Sequence, residues 1–172
     1  SPASEFEWLF LMQHYGISTR LLDWSESPLP ALYFAVENEE QWDKDGVLWC
    51  LLPCELNLKS HYSEEGFEEG IPSFDEKQLE TYQPSSISAE RSSKLFPMAA
   101  IATRNSHRMV AQQGVFTISH RYAECMSNID GGSFLWRYVI PAASKKKILF
   151  ELNMLGITKF QLFPELQNIT NL

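Results

Sequence analysis

The sequence lacks the features that would place it at once in a familiar class. No run approaches the ~18 apolar residues of a membrane-spanning helix, and no basic-then-apolar leader opens the chain. It has no internal repeat, no G-x-S-x-G elbow, no H-E-x-x-H motif and no glycine-rich phosphate loop. We therefore expect no membrane partner, and a serine hydrolase, a zinc protease and a P-loop enzyme have no support. The abrupt start predicts a piece of a longer protein.

Cysteine is scarce, and the three that occur are Cys50, Cys54 and Cys125. The C-x3-C spacing of the first two, within an apolar run, fits neither a zinc knuckle nor a thioredoxin motif. The four histidines are scattered along the chain. We therefore predict buried free thiols, no metal site and a reducing, cytoplasmic compartment.

Basic residues are outnumbered, 14 against 22, which gives a net charge of −8. The imbalance is uneven, because residues 1–54 carry a net −7 and residues 101–172 a net +4. A mainly acidic chain binds nucleic acid poorly, so we do not expect a nucleic-acid partner. A nucleotide or other anionic small molecule would be accommodated best by the last third.

The apolar pattern predicts an α+β fold, a mostly antiparallel sheet packed with several helices. A first helix at Glu5–His14 has Phe6, Leu9, Phe10 and Gln13 on one face. Trp8, Leu11 and Met12 occupy the rest, so we expect it to be buried all round. The remaining elements are predicted as helices from Pro28, over 144–155 and from Thr158, and strands over 47–52, 115–119 and 134–140.

The middle of the chain, about residues 55–100, differs from the rest in composition. Seven acidic residues fall between Glu64 and Glu80, with glycine, proline and serine among and after them. This pattern is typical of a long surface insertion, here with one helix near 76–82. We predict a single domain over 1–172 with a variable, peripheral acidic insertion.

The densest polar cluster runs from Gln13 to Trp24, directly after the first helix. Arg20 could pair with Asp23, or its guanidinium could fork onto a phosphate or carboxylate. Asp23 could instead cap the helix at Pro28, and His14 could be a helix-end residue favoured by the dipole. The residues alone leave the structural and the ligand-binding interpretations open.

Two further groups of polar residues could serve an anion site. Arg108 and Gln113 precede an apolar strand, where a ligand site and a solvated loop are both compatible with the pattern. Lys145–Lys147 stand in the first turn of a helix, where the dipole disfavours cations. We predict that His14, Arg20, Asp23, Arg108 and Gln113 converge on one cleft.

Several stretches together resemble the FRG domain family of bacterial and phage proteins. The Phe-Arg-Gly tripeptide that names this family is absent, and in the family it precedes the matching region. The resemblance therefore implies a domain that lacks its N-terminal segment, and that segment would be one partner. The matching stretches are Gln13–Gly16, Thr19–Trp24, Leu32–Ala35, Arg108–Thr117 and Leu162–Leu166.

The same order of elements is also similar to the ADP-ribosyltransferase plan. That similarity implies NAD as cofactor, with Thr19 and Arg20 on the strand that lines the nicotinamide pocket and Glu165 as the catalytic glutamate. The Q/E-x-E spacing of that plan is not kept, because Phe163 stands two residues before Glu165. The implied function is ADP-ribosyl transfer or NAD cleavage in a bacterial or phage defence or toxin-type protein. The alternative is a non-enzymatic module that binds a ligand or a protein partner and regulates an attached effector, and catalysis stays an open question.

Overall fold

The computed structural model describes residues 2–60, 70–89, 95–102, 110–111, 113–122 and 124–164. The chain divides into two compact units. The first unit comprises Ser1–Asp23, Leu51–Thr103 and Phe116–Leu135, and the second comprises Trp24–Cys50, Arg104–Val115 and Trp136–Leu172. Each unit has its own apolar core.

The described elements are helices and short strands that do not alternate regularly. The helices are α1 (Glu5–His14), α2 (Pro28–Val36), α3 (Pro53–Ser60), α4 (Pro84–Ala89), α5 (Lys145–Met154) and α6 (Lys159–Leu162). The strands are β1 (Leu21–Ser25), β2 (Gly46–Leu51), β3 (Met98–Ala100), β4 (Gly114–Ile118) and β5 (Leu135–Ile140). One sheet has the order β1-β4-β3, and the other pairs β2 with β5. Small antiparallel sheets packed with helices make this an α+β fold, so the predicted class is confirmed.

The core of the first unit joins α3 to β3 and includes a group of aromatic rings. Phe74 lies at the centre of that group, with ring centroids 4.9 Å from Phe6 and 5.0 Å from Phe10. Phe10 also lies 5.1 Å from Phe116 of β4. Edge-to-face and tilted contacts of this kind add to the burial of the rings. They fix one face of α1 against the unit.

A buried amide completes this core. Asn57 of α3 is fully buried, and its Nδ2 donates to the Ala99 carbonyl and to the Gly70 carbonyl, each at 3.0 Å. Its Oδ1 accepts from the Ala99 amide at 2.7 Å. The side chain therefore bonds to both backbone groups of one β3 residue, as a neighbouring strand would.

The core of the second unit lies between α2, β5 and the last two helices. Its buried members are Tyr33, Val36, Ile140, Leu152 and Leu162. Gly46 allows a close approach here, because a Cβ at that position would lie 2.9 Å from the Ala35 carbonyl oxygen. A side chain on that residue would push β2 away from α2.

The prediction that α1 is buried all round is wrong. Its bounds and its predicted inner face are correct, since Phe6 and Leu9 are buried. However, Trp8 is 51% exposed and Leu11 is 37% exposed. Only one side of the helix contacts the aromatic group, and the apolar residues on its other side face solvent.

The prediction that residues 55–100 are peripheral is also wrong for the described part. Leu56, Leu79 and Tyr82 are 0%, 0% and 1% exposed, and β3 is buried throughout. The core residues of this segment are separated by polar ones, so the average composition of residues 55–100 does not reveal which positions are buried. A 3-10 helix at Lys77–Tyr82 agrees with the predicted helix, and Glu64 lies outside the described residues.

The cysteine prediction is half right. All three cysteines are free, but Cys54 and Cys125 are exposed and Cys50 is only partly buried. Among the described residues, no helix is long and apolar enough to cross a bilayer.

Candidate functional site

The polar cluster that follows α1 is built around a tight chain reversal in the first unit. Gly16 has φ +76°, a conformation that glycine adopts at little cost. Its amide donates to the Gln13 carbonyl at 3.0 Å, and the Ile17 amide donates to the Met12 carbonyl at 2.9 Å. This C-terminal cap ends α1 and turns the chain toward β1.

Three side chains close the reversal, and we call them the Gln13 clamp (Gln13, Thr19 and Asp23). Gln13 Nε2 donates to Asp23 Oδ2 at 2.7 Å. Thr19 Oγ1 donates to Gln13 Oε1 and accepts from the Leu21 amide at 3.1 Å. The two ends of the amide thus bind the segments before and within β1. Gln13 was not predicted as a site residue, although its place on the inner face of α1 was the available signal.

Arg20, which lies within the segment of the Gln13 clamp, connects that segment to two distant parts of the first unit. Its Nη1 donates to the Ser119 carbonyl at 2.7 Å, and its Nη2 donates to the Tyr82 carbonyl at 2.8 Å. The Ser119 amide in turn donates to the Arg20 carbonyl at 3.0 Å. The guanidinium fork therefore binds two backbone carbonyls. Desolvation lowers the pKa of Arg20, but a guanidinium stays protonated at neutral pH.

Asp23 has a different partner from those that the sequence suggested. The Asp23 carboxylate is bound by the Gln13 amide, and Asp23 lies within β1. The N-cap position of α2 is taken by Ser27, whose side chain makes no capping bond. Asp23 is therefore not the helix cap.

His14 lies in the last turn of α1 and is exposed. Its ring makes an edge-to-face contact with Tyr15, with centroids 5.2 Å apart. Tyr15 is 73% exposed, and Asp23 is exposed as well. A basic ring, a phenol ring and a carboxylate thus face solvent around the reversal.

The positions of the remaining predicted site residues leave the predicted common cleft untested. Gln113 lies in the second unit, exposed, with φ +49°, and its carbonyl accepts from the Glu26 amide at 3.0 Å. Arg108 and Glu165 lie outside the described residues. Convergence of these residues with His14 and Arg20 stays a prediction.

The three consecutive lysines have separate partners within the second unit. Lys145 is buried, and its Nζ donates to the Gln41 carbonyl at 2.8 Å. Lys146 Nζ lies 4.9 Å from the centroid of the Trp42 ring, and Lys147 lies 3.8 Å from Glu151. The contacts of Lys145 and Lys146 therefore connect the start of α5 to the segment at Gln41 and Trp42, whereas the exposed Lys147 pairs within its own helix.

The described residues also contain no group of three or more His, Cys, Asp and Glu side chains that could hold a metal ion.

The comparison with family models agrees with the resemblance in the sequence. Residues 1–44 match the model of the FRG domain, and this match agrees with the suspected family over that stretch. The matched stretch contains α1, the Gln13 clamp, Arg20 and α2. No curated protein and no solved structure is significantly similar to the chain.

Proposed function

We propose that this FRG region is a non-enzymatic binding module that recognises a partner protein and regulates an attached effector. The supporting observation is that the hydrogen-bonding groups of Thr19 and Arg20 are engaged within the first unit. These are the two residues that the resemblance to ADP-ribosyltransferases assigned to NAD. Their present contacts stabilise the fold.

The cost of releasing Arg20 supports the same proposal. A hydrogen bond from a charged group contributes about 1.5–3 kcal/mol, and Arg20 makes two. A nucleotide phosphate would have to replace both bonds and leave two backbone carbonyls without their donor. The loss of these existing contacts would therefore offset most of the favourable free energy of NAD binding.

A second candidate is an NAD-binding, ADP-ribosyltransferase-like domain, and one observation favours it. His14, Tyr15 and Asp23 face solvent around the same reversal. An exposed ring can stack on a nicotinamide or adenine, and a carboxylate can accept from a ribose hydroxyl. In this candidate Glu165 supplies the carboxylate that stabilises positive charge on the ribose as nicotinamide leaves.

The cellular setting belongs to the same proposal. We place the module in the cytoplasm of a bacterial or phage-infected cell, where thiols such as Cys54 and Cys125 stay reduced.

An NAD-cleavage assay separates the two candidates. The chain and its Glu165→Gln variant are each incubated with NAD labelled in the adenine ring, and nicotinamide release and label transfer to protein are both measured. We expect neither protein to exceed the rate without protein, because Arg20 and Thr19 are engaged elsewhere. Nicotinamide release by the wild type that the Glu165→Gln variant loses would establish the enzyme and contradict the binding module.

A further inference from the structure

The outer face of α1 is an apolar stripe that nothing in the described structure covers. Trp8 and Leu11 are spaced i and i+3 on α1, and Tyr15, the C-cap residue directly after the helix, continues this spacing at i+7, so the three lie on one side. Their exposed fractions are 51%, 37% and 73%. Phe6 and Leu9 occupy the buried side of the helix. We call the three exposed residues the α1 stripe.

Two carboxylates flank the N-terminal half of the α1 stripe. Glu5 lies three residues before Trp8, and Glu7 lies four residues before Leu11, so both neighbour the stripe on the helix surface. Glu5 Oε2 accepts from the Ser85 amide at 2.8 Å. Hydrogen bonding by the Ser85 side chain, and then by its amide, lowers the pKa of Glu5. Glu7 Oε2 accepts from the Ala3 amide. These hydrogen bonds hold both carboxylates beside α1.

The wider surface of the first unit is acidic as well. Its described residues include nine acidic and four basic side chains. Three of those four basic side chains are already engaged within the unit. Arg20 binds two carbonyls, Lys59 lies 3.0 Å from Asp130, and Arg121 donates to the Ile87 carbonyl. A ligand at the α1 stripe would therefore meet a negative potential.

We propose that the α1 stripe docks a basic amphipathic segment of a partner protein. An arginine or lysine of that segment would lie over the Trp8 ring between the carboxylates of Glu5 and Glu7. Apolar side chains of the same segment would pack on Leu11 and Tyr15. This inference rests on the proposed function as a binding module and specifies the chemistry of its partner.

The charge around the stripe selects this occupant over two others. A second copy of the chain would bring a second set of acidic side chains to an acidic surface, and like charges disfavour that contact. A nucleic acid would bring phosphates to an acidic surface. A cationic peptide meets complementary charge and an apolar surface together.

The test uses the full chain and a labelled helical peptide of leucine and lysine, with a counterpart in which glutamate replaces lysine. Fluorescence anisotropy measures the affinity for each peptide. We expect the lysine peptide to bind at least about tenfold more tightly than the glutamate peptide, with a preference that shrinks as salt is added. The single variant Trp8→Gln should weaken lysine-peptide binding by about tenfold. The single variant Glu7→Lys should weaken it by a larger factor.

The matched control is Phe150→Gln on α5 in the second unit, because Phe150 is 65% exposed. It should leave the affinity for the lysine peptide unchanged. Equal affinity for both peptides, or undiminished binding by Trp8→Gln, would overturn the docking site. Self-association that Trp8→Gln abolishes would assign the stripe to a second copy instead. These outcomes concern the docking site alone, whereas NAD cleavage is what would remove the binding module.

Discussion

Replacing Asn57 with alanine should lower the free energy of unfolding by about 3 kcal/mol, since a net hydrogen bond contributes about 1 kcal/mol. Asn57 makes three such bonds in a fully buried site. Alanine would leave the Ala99 amide and carbonyl without these partners inside the first unit. Asn57→Asp should cost more, because a carboxylate cannot donate to the two carbonyls and its charge would be buried.

Urea unfolding followed by circular dichroism measures this loss as a lower midpoint. The matched control is Asn128→Ala, because Asn128 is exposed and its Nδ2 lies 3.3 Å from Glu124. That variant should unfold within about 0.5 kcal/mol of the wild type, as most surface substitutions do. A midpoint for Asn57→Ala equal to that of the control would contradict the role assigned to the buried amide.

Replacing Arg20 with alanine should lower the free energy of unfolding by about 3 kcal/mol, from the loss of two bonds by a charged donor. Arg20→Lys should fall between alanine and wild type. An ammonium can reach one carbonyl but cannot reproduce the planar fork that binds Ser119 and Tyr82 together. A ligand-binding arginine on a solvated surface would show neither effect.

The control for charge is Arg137→Ala, which removes an exposed arginine from β5 in the second unit. Its unfolding midpoint should stay close to that of the wild type. If Arg20→Ala unfolds at the wild-type urea concentration, the two carbonyl bonds are not stabilising and Arg20 is free to serve a ligand.

Local sequence signals predicted much of the fold. Thr158 was predicted to start the last helix, and its Oγ1 does accept from the Gln161 amide. A helix was predicted over 144–155, and Gly156, with φ +82°, stands directly after that range. Strands β2, β4 and β5 lie within a residue of their predicted bounds. Signals of this kind depend on a few neighbouring residues, so they can be recognised in one sequence.

Two failures concern burial, which depends on distant contacts. α1 is apolar nearly all round, and the sequence does not say which face the rest of the chain covers. Residues 55–100 are acidic on average, yet Leu56 and Tyr82 are core residues. Composition over a window describes the surface of such a segment better than its few buried positions.

The location of the polar cluster was predicted, but the role of Arg20 within it was not. The cluster around Arg20 was singled out because it is dense in polar groups, and it lies within the stretch that the FRG model matches. The partners of Arg20 lie 62 and 99 residues away and are backbone carbonyls. A carbonyl acceptor carries no sequence signature, so no motif could have distinguished a structural arginine from a ligand-binding one.

The structural role of Arg20 is tested most directly by an NMR measurement of its guanidinium in the intact chain. The side-chain N–H signals are assigned by comparison with Arg20→Lys, and their exchange with water is followed with and without added NAD. Donation to the Ser119 and Tyr82 carbonyls predicts resolved, slowly exchanging Nη protons whose shifts NAD leaves unchanged. Rapidly exchanging Nη protons that shift and become protected when NAD is added would contradict the structural role of Arg20 and the binding module with it.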